Sequence, residues 1–150
     1  MYESQKVIDA EVGTKIKDIE LTTLDGEKVK LSDYIPNSSF TYIDIWASWC
    51  GPCLESFPKL ELIYNEYKLN GIQILLISID KTIDSCLDAV KQHDIKFKTL
   101  IDLSGGKDLS SVLEFNIIPH GVLIDKEGII IANQLSNIQL KQKIVELYGK

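Results

Sequence analysis

Short β-prone runs fill the first part of the chain, and a helical period takes over after residue 50. Asp18 to Leu24 and Glu27 to Leu31 are two such runs, separated by Asp25-Gly26, the pair favoured in a two-residue hairpin turn. Phe40 to Ala47 reads as a strand rich in aromatic and β-branched residues. From Cys53 onward, Cys53, Phe57, Leu60, Tyr64 and Tyr67 fall at alternating steps of four and three, the stripe of an amphipathic helix that Asn70-Gly71 stops. Ile72 to Ile79 is a near-continuous apolar run, as expected of a strand covered on both faces. A helix is expected from Ile83, with Ile83, Leu87 and Val90 on one face and Thr82 or Asp80 as its cap. Thr99 to Ile101 then forms a short strand, Ser104-Gly105-Gly106 a loop, and Lys107 to Glu114 a helix carrying Leu109, Val112 and Leu113. Gly121 to Ile124 and Ile129 to Ala132 flank the turn sequence Asp125-Lys126-Glu127-Gly128 and predict a second hairpin. Ser136 with Gln139 makes a capping-box pattern that opens a last helix through Leu147. This order predicts an α/β fold, a central mixed sheet with helices on both faces.

Composition narrows the partners. The 150 residues are 45% hydrophobic and 25% charged, which excludes disorder and low-complexity classes and suits one buried core. With no internal repeat or linker, residues 1–150 are expected to form a single domain, 1–12 being a flexible N-terminal segment, and excision from a longer protein stays open. A net charge of −6 repels phosphate backbones and anionic lipid, so no nucleic acid is expected as partner. Met1 to Lys15 lacks a basic n-region and an apolar stretch, so no signal peptide is read there. The longest apolar run, Ile74 to Ile79, falls far below the ~20 residues of a spanning helix, leaving a trimmed anchor as the one expected link to a membrane.

Chemistry concentrates in Trp49-Cys50-Gly51-Pro52-Cys53, placed between a strand and a helix. Two thiols three positions apart across a helix start can close a small disulfide ring. The helix N-terminus favours thiolate over thiol, so Cys50 at its mouth is the expected nucleophile, and Cys53, on the buried stripe, the resolving thiol. Pro52 lies in the first turn, where its missing N–H costs nothing. A zinc site is the competing reading of a bare C-x-x-C. It needs four ligands, and Cys86, His93 and His120 supply no second short-spaced pair, so no metal is expected.

The run Asp44-Ile45-Trp46-Ala47-Ser48-Trp49-Cys50-Gly51-Pro52-Cys53 resembles the active-site strand and helix mouth of thioredoxins. Pro58 matches the proline inside their active-site helix, and Ile118-Pro119 with the hairpin after it resembles their cis-proline segment. The N-terminal hairpin, and the extra helix and strand between Ile79 and Pro119, resemble more closely the envelope thiol–disulfide oxidoreductases of the TlpA/ResA type, over most of residues 13–148. The resemblance implies a thioredoxin fold with an N-terminal β-hairpin extension and an α-β insertion before the cis-proline. It implies a cis Pro119 facing the disulfide, and pairing of the Ile118 backbone with the substrate chain, a form of strand addition. Trp49, Gly51, Pro52, Ile118, Pro119 and His120 are accordingly the expected substrate-binding residues.

Asp44 shares a strand face with Tyr42 and Trp46, while Ile43 and Ile45 share the other. A mid-strand aspartate is usually solvated, but a strand covered on both faces buries it and favours its protonated form. The match to thioredoxin's buried acid selects the second reading and implies proton exchange with Cys53. The chain departs from the envelope group at two places, with Ser56 where they often carry glutamate and Asp44 where they commonly carry asparagine; Glu55, one residue away, is rotated by about 100°. Cys86 is expected to pack as a small hydrophobe, and His93 to sit as a favourable cation near a helix end. His120 is expected on the polar rim, with a proton-sensitive contact near the disulfide as the sharper alternative. Trp49 is expected on the exposed rim and Trp46 inside.

The expected function is thiol–disulfide oxidoreduction, in the reducing direction, on disulfide-containing proteins, with an unidentified thiol as electron donor. No cofactor is implied beyond the Cys50–Cys53 pair, and a monomer is expected. The resemblance points to the periplasm or cell envelope, with the cytoplasm as alternative. Two rival readings compete on residues: a thiol peroxidase, whose Thr or Ser three positions before the reactive cysteine is Ala47 here, and a non-catalytic binding module, which has no use for an intact dithiol.

Overall fold

The structure is a computed structural model describing residues 12–35 and 39–149, so the expected N-terminal segment 1–12 lies, except for Val12, outside the described residues. The first hairpin forms from β1 (Glu20–Thr23) and β2 (Lys28–Lys30), but its turn is not the expected two-residue one. Thr23 N–H donates to the Glu27 carbonyl, so Leu24 joins Asp25 and Gly26 in the loop, with Gly26 at φ 91° supplying the left-handed residue. A 3-10 turn over Leu31–Tyr34 follows. Next come β3 (Phe40–Trp46), α1 (Gly51–Tyr67), a 3-10 turn over Lys68–Asn70, and β4 (Ile72–Ser78). The chain continues through α2 (Ile83–Gln92), β5 (Lys98–Ile101), α3 (Lys107–Ser110), β6 (His120–Asp125), β7 (Ile130–Leu135) and α4 (Asn137–Tyr148).

Among the described residues these strands form one mixed sheet in the order β2-β1-β5-β4-β3-β6-β7. β3, β4 and β5 run parallel, and the remaining pairs are antiparallel. Two parallel crossovers that step in the same direction across a sheet place their helices on the same face. α1 and α2 accordingly share one core with α4, built on Tyr42, Trp46, Leu60, Leu76, Cys86 and Ile144. The opposite core gathers Ile43, Ile45, Leu75 and Ile77 under Leu31, Leu109 and Leu113, so among the described residues that face is covered by the 3-10 turn, the short α3 and the irregular chain around them. β3 and β4 are covered on both sides, as the apolar run of β4 predicts.

The helix expected over Lys107–Glu114 stops at Ser110. The Ser110 and Ser111 hydroxyls donate to the carbonyls of Lys107 and Asp108 at 2.9 and 2.6 Å, competing with the next helical turn. Leu109 and Leu113 still reach the core. The Ser136 capping box forms as read, with Gln139 N–H donating to Ser136 Oγ and Ser136 N–H to Gln139 Oε1. On α2, Thr82 rather than Asp80 is the cap, and Cys86 and Ala89 are the fully covered positions.

Candidate active site

β3 delivers the chain to the redox segment. After Trp46 a tight turn, closed by Cys50 N–H to the Ala47 carbonyl at 3.1 Å, sets Cys50 as N-cap of α1. Cys50 Sγ accepts from Cys53 N–H at 3.2 Å, so one unpaired amide of the helix start is aimed at that sulfur. Cys50 and Cys53 are disulfide-bonded, with Cα atoms 5.3 Å apart. Cys53 is fully buried and Cys50 is 6% exposed, so what exposure the pair retains belongs to Cys50. Trp49 stands 69% exposed beside it, Gly51 and Pro52 are exposed, and Trp46 is inside, edge-on to Phe57. The Ile118–Pro119 bond is cis; Pro119 is exposed and Ile118 half-buried.

A cleft of about 540 Å³ opens beside the helix mouth, lined by Asp44, Pro52, Ser56, Lys59, Pro119 and Ile138 among others. Asp44 is 2% exposed on the α1 side of β3, between Tyr42 and Trp46. Burial pushes its carboxyl up to about 8. Its neighbour across the sheet is Gly121, where a Cβ would run into the Tyr42 ring; the missing side chain is what lets Tyr42 lie flat and donate its hydroxyl to the Leu135 carbonyl at 3.2 Å. Glu55 is exposed, and the Ser56 hydroxyl donates to the Cys53 carbonyl at 2.7 Å. The helix therefore presents no buried acid at the glutamate position of the envelope group, and the buried acid is on the strand.

His120 corrects the sequence reading. It lies inside β6, 3% exposed, so it is not a rim residue. The pleat places it opposite Ile45 and in line with Val122 and Ile124, and it also borders the cleft beside Asp44 and Pro52. There its Nε2 meets Asn133 Oδ1 at 2.7 Å and its ring lies 6.0 Å from that of Phe115, while burial pulls its pKa below the ordinary value. Cys86 is fully buried in the α1-side core, and burial pushes its thiol up to about 11. Among the described residues no group of three or more His, Cys, Asp or Glu side chains is arranged to hold a metal ion.

One feature of the site escapes the sequence reading. Asp80, considered there only as a helix cap, turns back to the redox segment and binds Ser48. The short spacing Ser78-x-Asp80 at a strand end is the only local trace of it, because its partner is 32 residues away.

Comparison with known proteins fits this geometry. Residues 11–146 match the family described as Redoxin. The thiol-disulfide oxidoreductase ResA of Bacillus thuringiensis subsp. konkukian is 29% identical over 140 residues, which is 93% of this chain and 78% of that protein. A thiol-disulfide oxidoreductase from Bacteroides fragilis superposes with a TM-score of 0.79 at 25% identity, covering 89% of this chain and 99% of the other. The thioredoxin domain of a Bacteroides vulgatus thiol-disulfide oxidoreductase has the same fold, with a TM-score of 0.79 at 24% identity over 91% of this chain and 96% of that one. The expected thioredoxin fold, extended by the N-terminal hairpin and the α2–β5 insertion, is the fold observed.

Proposed function

The chain belongs to the Redoxin family and is a thiol–disulfide oxidoreductase working through Cys50 and Cys53, and from that premise we propose that it reduces disulfides of protein substrates in the periplasm or cell envelope. The compartment follows the TlpA/ResA resemblance; among the described residues no helix is long and apolar enough to cross a membrane. Residues 1–150 act as one domain in this reading.

The observation that carries the reading is Cys50 at the N-cap of α1, with the Cys53 amide pointing at its sulfur. In the reduced protein that position supports a Cys50 thiolate, which attacks a substrate sulfur and expels the other as a thiolate. Cys53 then attacks the Cys50 sulfur of the mixed disulfide, the substrate leaves as a dithiol, and the protein is left as the Cys50–Cys53 disulfide. A thiol donor restores it. Asp44, buried and poised near 8, exchanges the Cys53 proton during resolution. Substrate backbone pairs at Ile118 beside Pro119, with Trp49, Gly51 and Pro52 completing the exposed contact surface.

Insulin reduction tests the activity, with peroxide consumption followed in parallel. Cys53→Ser should accumulate mixed disulfides on Cys50, and Cys50→Ser should capture little. Equal capture by both variants would reverse the nucleophile and the resolving thiol, and peroxide turnover without insulin reduction would replace the proposed reaction.

A further inference from the structure

We infer that Asp80 is a positioning residue for the redox pair: its buried carboxylate clamps Ser48, fixing the turn that presents Cys50, and sets a negative charge behind that turn. Asp80 follows β4 and is 3% exposed. Its Oδ2 accepts from Ser48 N–H at 3.0 Å and from the Ser78 hydroxyl at 2.6 Å. Its Oδ1 accepts from the Ser48 hydroxyl at 2.7 Å. Both oxygens therefore act only as acceptors, the pattern of an ionised carboxylate. Ser78 is itself fully buried and accepts from Asp80 N–H at 2.9 Å, so the carboxylate is held from its own strand end as well.

Ser48 is two residues before Cys50, and the same turn is closed by Cys50 N–H to the Ala47 carbonyl. Both Ser48 donors are thus spent on Asp80 and not on the Cys50 sulfur. Two residues of chain span at most about 7 Å, so the clamped amide stays close to Cys50. The charge also reaches Cys86, whose thiol is raised first by burial and further by Asp80, against a lowering bond from Ser78. A like charge near Cys50 opposes its thiolate, and because the thiolate belongs to the reduced protein, the charge favours the disulfide form and makes the dithiol the stronger reductant.

Asp102 supplies an internal comparison. It is 2% exposed at the end of the adjacent strand β5, and its carboxylate accepts from Ser104 N–H, the Ser104 hydroxyl and Leu109 N–H, none of them in the redox segment. A merely structural role for a buried aspartate at a strand end would be shared by both residues.

The inference rests on Cys50 being the attacking thiol, which alkylation mapping of the unmutated reduced protein checks separately: if Cys53 labels first, that reading fails before any Asp80 variant is made. With Cys50 labelling first, the Cys50–Cys53 couple is equilibrated with reduced and oxidised glutathione at pH 8 for Asp80→Asn and Asp102→Asn. Asp80→Asn keeps shape and loses charge, and should move the equilibrium toward the dithiol about tenfold, equivalent to about 30 mV. Asp102→Asn should move it less than about twofold. Ser48→Ala, which keeps the backbone clamp and leaves the carboxylate in place, should slow attack of reduced Cys50 on a model disulfide about threefold, with Ser48→Thr restoring it. An unmoved or oppositely moved equilibrium in Asp80→Asn, an equal shift in Asp102→Asn, or an unaltered rate in Ser48→Ala overturns the assignment.

Discussion

Replacing Asp44 with asparagine should raise the stability of the oxidised protein, and the gain should grow with pH. The folded carboxyl titrates near 8 because it is buried, against 3.8 in an unfolded chain. Below pH 3.8 both states hold the proton and the group contributes nothing to pH dependence. Between the two values the unfolded chain releases a proton that the folded protein keeps, so ionisation favours unfolding and stability falls as pH rises. At about 1.4 kcal/mol per pH unit, the accumulated penalty at pH 7 is about 4 kcal/mol. Asparagine does not titrate and escapes it, although its buried amide brings a pH-independent cost of about 1–3 kcal/mol. Urea unfolding of both proteins at pH 5, 6, 7 and 8 isolates the effect, since every other titrating group cancels in the difference. The difference in unfolding free energy should widen steadily in favour of Asp44→Asn up to about pH 8 and then level off. A difference independent of pH would refute the burial argument. The same variant should slow resolution of a mixed disulfide by Cys53 more than it slows the initial attack, and Glu55→Gln, altering an exposed side chain, should do neither.

Two further outcomes follow from packing. In the reduced native protein, iodoacetamide at pH 8 should label Cys50 and leave Cys86 untouched until the chain is unfolded, because a fully buried thiol titrating near 11 holds only about a thousandth of its population as thiolate. Peptide mapping with early Cys86 labelling would contradict that burial. Gly121→Ala should cost about 1–3 kcal/mol in denaturant unfolding, because the new methyl meets the Tyr42 ring, and Tyr42→Phe should recover part of the loss in a double-mutant cycle. An additive cycle would show that the two residues do not share that space.

The parts of this protein that are legible from sequence are those set by neighbours along the chain. Ser136 with Gln139 and Cys50 before Pro52 each fix a cap through bonds spanning a few residues, and both appear where the local chemistry puts them. Asp25-Gly26 marks the first hairpin, but its turn also takes in Leu24 and is not the two-residue kind. Asp44 was legible through resemblance: its place in the strand left a solvated and a buried reading open, and the match to thioredoxin's buried acid selected the buried one. The burial of His120 was not legible, because it required knowing that β6 begins at that residue and pairs with Ile45. The end of α3 was hidden because serine hydroxyls, not a glycine or proline, draw the backbone out of the helix. Asp80 was hidden because its chemistry is completed by Ser48, a residue brought beside it only when β3 and β4 lie parallel.

The two margins of the sheet carry a consequence for how the protein behaves in a crowded solution. At one margin β2 is only three residues long and bears exposed Lys28 and Lys30. At the other, the chain from Gly13 to Ile16 lies along the start of β7, exchanging bonds between Gly13 and Ile130 and between Ile130 and Thr14. Farther along β7 the ladder with β6 slips register twice, and Gln134 adopts φ 59°. A brief lysine-bearing margin and a covered, irregular one are both poor templates for a foreign strand, and the fold thereby discourages the edge-to-edge stacking through which sheets aggregate.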